Sequence, residues 1–148
     1  MDNHLLYDQD FYAWANEQAG LLRAGRLSEA DIEHIAEEIE SLGKSEKREL
    51  LSRLTLVLLH LLKWQYQPAL RGKSWRLTLE EQRDEVETHL ADNPSLKSTI
   101  SDIIAVSYRR AVLGTARETD MERSAFPTHC PWSFGQIMDP EFYPEATN

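Results

Sequence analysis

Arg53 and His60 stand seven residues apart, two turns of any helix containing both, so their side chains would share one face. Histidine exchanges protons near neutral pH and a guanidinium stabilises charge building at phosphorus, so the pair has the residue types for metal-free RNA cleavage. Lys63 and Trp64 follow His60 at i+3 and i+4, which groups the three in one patch. The surrounding block is charged in one sense only. Residues 50–79 hold Arg53, Lys63, Arg71, Lys73 and Arg76, no Asp or Glu, and the rings of Trp64, Tyr66 and Trp75. Cations among aromatic rings suit a phosphate-bearing ligand, the charge meeting the phosphate and the rings stacking on bases. The plainer alternative is that these cations pair with the acidic helices around them, the usual fate of a charge run. For His60 it is a neutral core histidine with a hydrogen bond. On that reading, truncation to alanine costs about 2 to 4 kcal/mol.

Metal chemistry finds less support. Asp31-x-x-His34 and Glu85-x-x-x-His89 depart from the paired Glu-x-x-His of a di-iron bundle. His129-Cys130 has no second cysteine to complete a zinc site, and no flanking motif marks Cys130 as a nucleophile. No metal or other cofactor is expected.

The elements that must position these residues are helices. Paired runs of strict alternation with hairpin turns are missing from the sequence, so the expected class is all-α. Asp8 or Asp10 opens a helix over 8–24 that Gly25 stops. Ser28 with Asp31 forms a capping box for 29–42, whose stripe of Ile32, Ile35, Ala36, Ile39 and Leu42 runs to Gly43. Ser45 caps 46–67, which Pro68 ends; apolar residues on nearly every face of it predict a central helix surrounded by others. Ser74 caps 75–91, and 95–120 follows Asn93-Pro94. From 122 to 148, Pro127, Pro131, Pro140 and Pro144 among aromatic residues predict an extended strap over the bundle, with a short helical turn near 133–138. The expectation is one compact domain, 1–148, of about five helices.

Length and charge narrow the function classes. The chain has 148 residues, 41% of them hydrophobic, which suits one core, and a net charge of -9, which argues against a general polyanion binder and a basic membrane-surface protein. The longest apolar run, 54–62, is too short to span a bilayer. One cysteine and an N-terminus without a leader pattern predict a cytoplasmic protein with no membrane partner.

Tyr7-Asp8-Gln9-Asp10-Phe11-Tyr12-Ala13-Trp14, Glu37-Glu38-Ile39-Glu40-Ser41-Leu42-Gly43, His60-Leu61-Leu62-Lys63-Trp64, Gln67-Pro68, Ser74-Trp75, Gln82-Arg83, Pro94-Ser95-Leu96 and Phe126-Pro127-Thr128-His129-Cys130-Pro131 together resemble the bacterial family catalogued as domain of unknown function 29. That resemblance implies a helical fold and brings no established activity or cofactor. Among its motif residues, Glu37, Glu38, Glu40, His60, Lys63, Trp64, Trp75, Gln82 and Arg83 are expected to converge. Arg53 and His60, with six residues between, resemble the motif of HEPN ribonucleases, although only Thr55 is polar from 54 to 59. The expectation is a binding protein that uses a basic and aromatic patch over 60–83 for a protein or phosphate-bearing partner, with Glu38, His60, Lys63, Trp64, Trp75 and Arg83 as binding residues. A HEPN-like ribonuclease using Arg53 and His60 is the alternative, and a homo-oligomer stays open.

Overall fold

The computed structural model describes residues 3–147; Met1, Asp2 and Asn148, parts of the leader and strap readings, lie outside them. Among the described residues there are six helices and no strand, so the fold is all-α. The helices are α1 (Asn3–Gln9), α2 (Phe11–Arg23), α3 (Ile32–Tyr66), α4 (Lys73–Asp92), α5 (Ile100–Glu118) and α6 (Phe134–Met138). None is long and apolar enough to cross a membrane. Internal contacts group the chain into two units, 1–45 and 46–148.

In the first unit Asp10 separates α1 from α2 and caps α2, its carboxylate accepting from Ala13 N at 3.1 Å. The expected helix 8–24 is therefore two helices. At the other end Gly25 takes φ 72°, and Arg26 N and Gly25 N bond back to the carbonyls of Leu21 and Leu22 in a Schellman ending. Trp14, Gln18 and His34 form the buried centre. Asp31 organises it. One carboxylate oxygen takes the Trp14 indole N–H at 3.1 Å and the His34 Nδ1 at 2.7 Å, while Asp31 N donates to Gln18 Oε1 at 2.7 Å. Tyr7 stacks on His34 with ring centroids 3.9 Å apart and donates to Glu38. This polar and aromatic contact packs the hairpin on the His34 and Glu38 side of α3. The Ile32, Ile39 and Leu42 stripe, expected inside, is consequently 54%, 62% and 68% exposed.

α3 also runs as one helix of 35 residues where the sequence predicts 29–42 and 46–67. Ser28 belongs to the 3-10 turn Leu27–Glu29, Asp31 faces the first helical N–H groups instead, and Ser45 lies in the helix interior. A glycine ends a helix by adopting positive φ, and Gly25 alone among the described residues does so. Gly43 has no positive φ and stays within the helix.

In the second unit Leu50, Leu54, Val57, Leu58, Leu61 and Leu62 of α3 are fully buried and cluster with Leu79, Val86 and Leu90 of α4 and Ile103, Ala111 and Val112 of α5. Leu56 is 38% exposed, so the helix is not enclosed on every face. α5 comes close at Gly114, where a Cβ would stand 3.1 Å from Leu59 Cδ1. The expected helix 95–120 is a 3-10 turn, Pro94–Thr99, followed by α5. The proline-rich segment after 122 sinks Phe126 and Ile137 into this core, and its short helix α6 starts with a Ser133 and Gln136 capping box. Helix side chains hold the strap by its carbonyls: Tyr108 donates to Pro127 O at 2.7 Å and the Arg83 guanidinium to Ile137 O and Phe142 O, both at 2.8 Å.

Candidate anion-binding site

The basic block of the sequence spans the end of α3, the turn Pro68–Leu70 and the start of α4. Pro68 cannot continue a helix from Tyr66, so the last carbonyls of α3 need other donors. Gln67 N takes Lys63 O at 2.8 Å, and Arg71 Nε takes Trp64 O at 2.6 Å. That bond fixes the Arg71 guanidinium with its carbon 5.1 Å from the Trp64 ring centroid; Arg76, from the first turn of α4, lies 5.7 Å from the same centroid. Tyr143 of the strap packs on the ring at 4.8 Å. Gly72 is the N-cap of α4 in extended geometry, and no side chain caps the helix, so its first N–H groups remain for solvent or a ligand.

Together Trp64, Arg71, Gly72, Lys73, Arg76 and Leu77 line a cavity of about 590 Å³. Its electrostatics are one-sided. Among the described residues no carboxylate pairs with Arg71, Lys73 or Arg76, while the neighbouring cations are neutralised: Arg53 by Glu49 at 3.2 Å and Glu85 at 3.7 Å, Lys63 by Glu118 at 2.5 Å. Arg71 Nη2 is buried and has no hydrogen-bond partner. Such a site can hold an anion by charge, bidentate donors and helix N–H groups. It offers little to a nucleobase, because Trp64 is only 7% exposed and has two guanidinium groups and Tyr143 around it.

Residues 6–143 match the family described as Domain of unknown function DUF29. The chain belongs to the DUF29 family. No curated protein and no solved structure matches it.

This DUF29 chain distributes its sequence-predicted residues over several places. Glu38 lies in the first unit, accepting from Tyr7, whose hydroxyl that bond pushes up to about 12. His60 is half-buried. Burial lowers its pKa, and its Nδ1 lies 2.8 Å from Leu56 O of the same helix. Lys63 turns to Glu118 and stands 5.7 Å from the Trp75 ring centroid, whereas Trp64 joins Arg71 and Arg76. The expected single patch of His60, Lys63 and Trp64 is thus divided between partners. Arg83 is buried beneath the strap, 5.6 Å from the Tyr143 centroid, and desolvation lowers its pKa. Gln82 accepts from Arg53 Nη1 at 3.2 Å. Burial pushes the Cys130 thiol up, away from nucleophilic character.

Leu77 beside Arg71, Lys73 and Arg76, two of which lie over Trp64, was not legible from spacing alone. The signal was the carboxylate-free block itself, in which these three cations follow a turn that a proline forces. Glu46, Glu49 and His89 present another cluster, their potential ligand atoms within 4.8 Å of one another. Spacing pairs His89 with Glu85, whereas Glu46 and Glu49 lie some forty residues away in the chain and come to His89 only through the fold. Here His89 Nε2 lies 2.8 Å from Glu46 O, and Arg53 is already the cation on Glu49.

Proposed function

We propose that this DUF29 chain is a binding protein whose Trp64 pocket holds a phosphate group of its ligand. The observation that carries the reading is the set of three cations without carboxylate partners on one cavity, in a protein of net charge -9. Elsewhere in the same block the fold pairs its cations with carboxylates; three left without ion pairs side by side make a locally positive spot that attracts a dianion. The reading places the protein in the cytoplasm, in keeping with its single cysteine. Binding is favoured over RNA cleavage by Arg53 and His60, because Glu49 and Glu85 flank Arg53 and would repel a phosphodiester.

Isothermal titration of the full chain with inorganic phosphate tests this. Arg76 is exposed and its described contact is with one ring, so Arg76→Ala spares the fold and is expected to weaken binding about tenfold, the worth of one charge-assisted hydrogen bond. Wild-type protein that binds no phosphate, or an Arg76→Ala protein that binds it as tightly, overturns the reading.

A further inference from the structure

We infer that the phosphate entering the Trp64 pocket is a monoester carried on a polypeptide, with a neighbouring apolar side chain of that peptide seated on Leu77; the inference rests on the phosphate reading above. Three features of the pocket favour one phosphate joined to an uncharged, partly apolar segment over a free anion, a polyanion or a base.

The lining is half cationic and half apolar. Leu77 lines the same cavity as Arg71, Lys73 and Arg76 and is 51% exposed, and Leu70, two residues before Gly72, is 63% exposed. A free anion would use the cations and leave both leucines in water. A ligand that joins an anion to an apolar group covers Leu77, which is favourable in proportion to the area removed from water.

The positive charge is short. Arg71, Lys73 and Arg76 fall within six residues, and Glu80, Glu81 and Asp84 are exposed on α4 directly beyond. Glu80 stands four residues after Arg76, about one helical turn or 6 Å along the axis, inside the screening length of about 10 Å at 0.1 M salt. An extended polyanion such as RNA, or an anionic bilayer, would meet these carboxylates as soon as it left the pocket. A single dianion on an otherwise uncharged segment meets only the cations.

The donors are preset. Arg71 is held in place by its bond to Trp64 O, and Arg76 lies over the same ring, so two guanidinium groups stand side by side at the cavity, as bidentate recognition of one phosphoryl group needs. The ring beneath is enclosed, so nothing here recognises a base.

The full-length chain is titrated with inorganic phosphate, with a peptide bearing one phosphoserine beside a leucine, with the same peptide carrying serine for that leucine, with its unphosphorylated form, with a single-stranded RNA oligonucleotide and with phosphatidylserine vesicles. The phosphorylated leucine peptide is expected to bind about tenfold tighter than inorganic phosphate and than its unphosphorylated form. Replacing the peptide leucine costs about five- to tenfold, and Leu77→Ala abolishes that difference. Arg76→Ala weakens both phosphate and phosphopeptide about tenfold. If inorganic phosphate binds and the peptide gains nothing over it, the polypeptide inference fails and the phosphate reading stands. If no phosphorylated probe binds, both fail. RNA or vesicles binding more tightly than the phosphopeptide would overturn the inference by giving the pocket to another ligand class.

Discussion

Two histidines of this chain have opposite environments. At His34 the Asp31 carboxylate stabilises the protonated ring and raises its pKa; at His60 burial disfavours that form and lowers it. The linkage signs are therefore opposite. The His34 contribution is fully present below the unfolded-state value of about 6.5 and is lost as pH rises through the folded value. The His60 contribution is fully present above about 6.5 and is lost as pH falls toward its folded value. Proton titration of the two rings by NMR should place His34 above and His60 below that reference, and the reverse order would refute the assignment. His60 bonds its own helix's Leu56 carbonyl and is half-buried, so His60→Ala is expected to cost about 1 kcal/mol in chemical denaturation, less than a buried core histidine would. Asp31 is itself held low: burial raises its carboxyl, but hydrogen bonds from His34 and Trp14 outweigh that.

At the scale of the element, α3 is the longest helix, and its continuity turns on one glycine. A glycine in the middle of 35 helical residues is a weak point in propensity without being a break. Gly43 has no positive φ, and a Cβ built there meets nothing within 4 Å. Gly43→Ala should accordingly stabilise the protein by about 0.5 to 1 kcal/mol, read from the urea midpoint at unchanged slope. Destabilisation would show that the position bends or opens. α4 illustrates the converse. Its N-terminus lacks a side-chain cap, and Gly72 brings backbone rather than side chain to the cavity.

For the whole molecule, the strap is the part most dependent on a few long-range bonds. Arg83 donates to Ile137 O and Phe142 O from a position only 4% exposed, with Nη1 buried and unpartnered. Burying that cation is costly, and the two carbonyls plus the Tyr143 ring are what offset the cost. Arg83→Ala is expected to lose about 2 to 4 kcal/mol in thermal unfolding, because it strips two charge-assisted bonds and leaves buried carbonyls without donors. Limited proteolysis should then cut first between 126 and 147, and cleavage elsewhere first would count against this role for Arg83. The acidic balance of the chain works at the same scale: at a net charge of -9, residues 50–79 are set apart by holding five cations and no carboxylate.

Several signals carried by residues near one another in the chain were legible in the sequence, although the caps expected at Ser28 and Ser45 and the stop at Gly43 were not used. The all-α class, the cap at Asp10, the stop at Gly25, the Ser133 turn of helix and the carboxylate-free basic block all depend on residues near one another in the chain, where backbone sterics and capping bonds act. The family was legible too, since its ordered motifs span nearly the whole chain. What depends on distant partners was decided by tertiary structure. Whether Gly43 ends a helix, which side of α3 meets the N-terminal hairpin, whether Lys63 points with Trp64 or to Glu118, and which cations find a carboxylate are all settled by packing between residues tens of positions apart. An apolar stripe such as Ile32, Ile39 and Leu42 specifies that a face favours cover. The Asp31, His34 and Tyr7 network outcompetes it, because hydrogen bonds and ring stacking fix a geometry that undirected hydrophobic attraction does not.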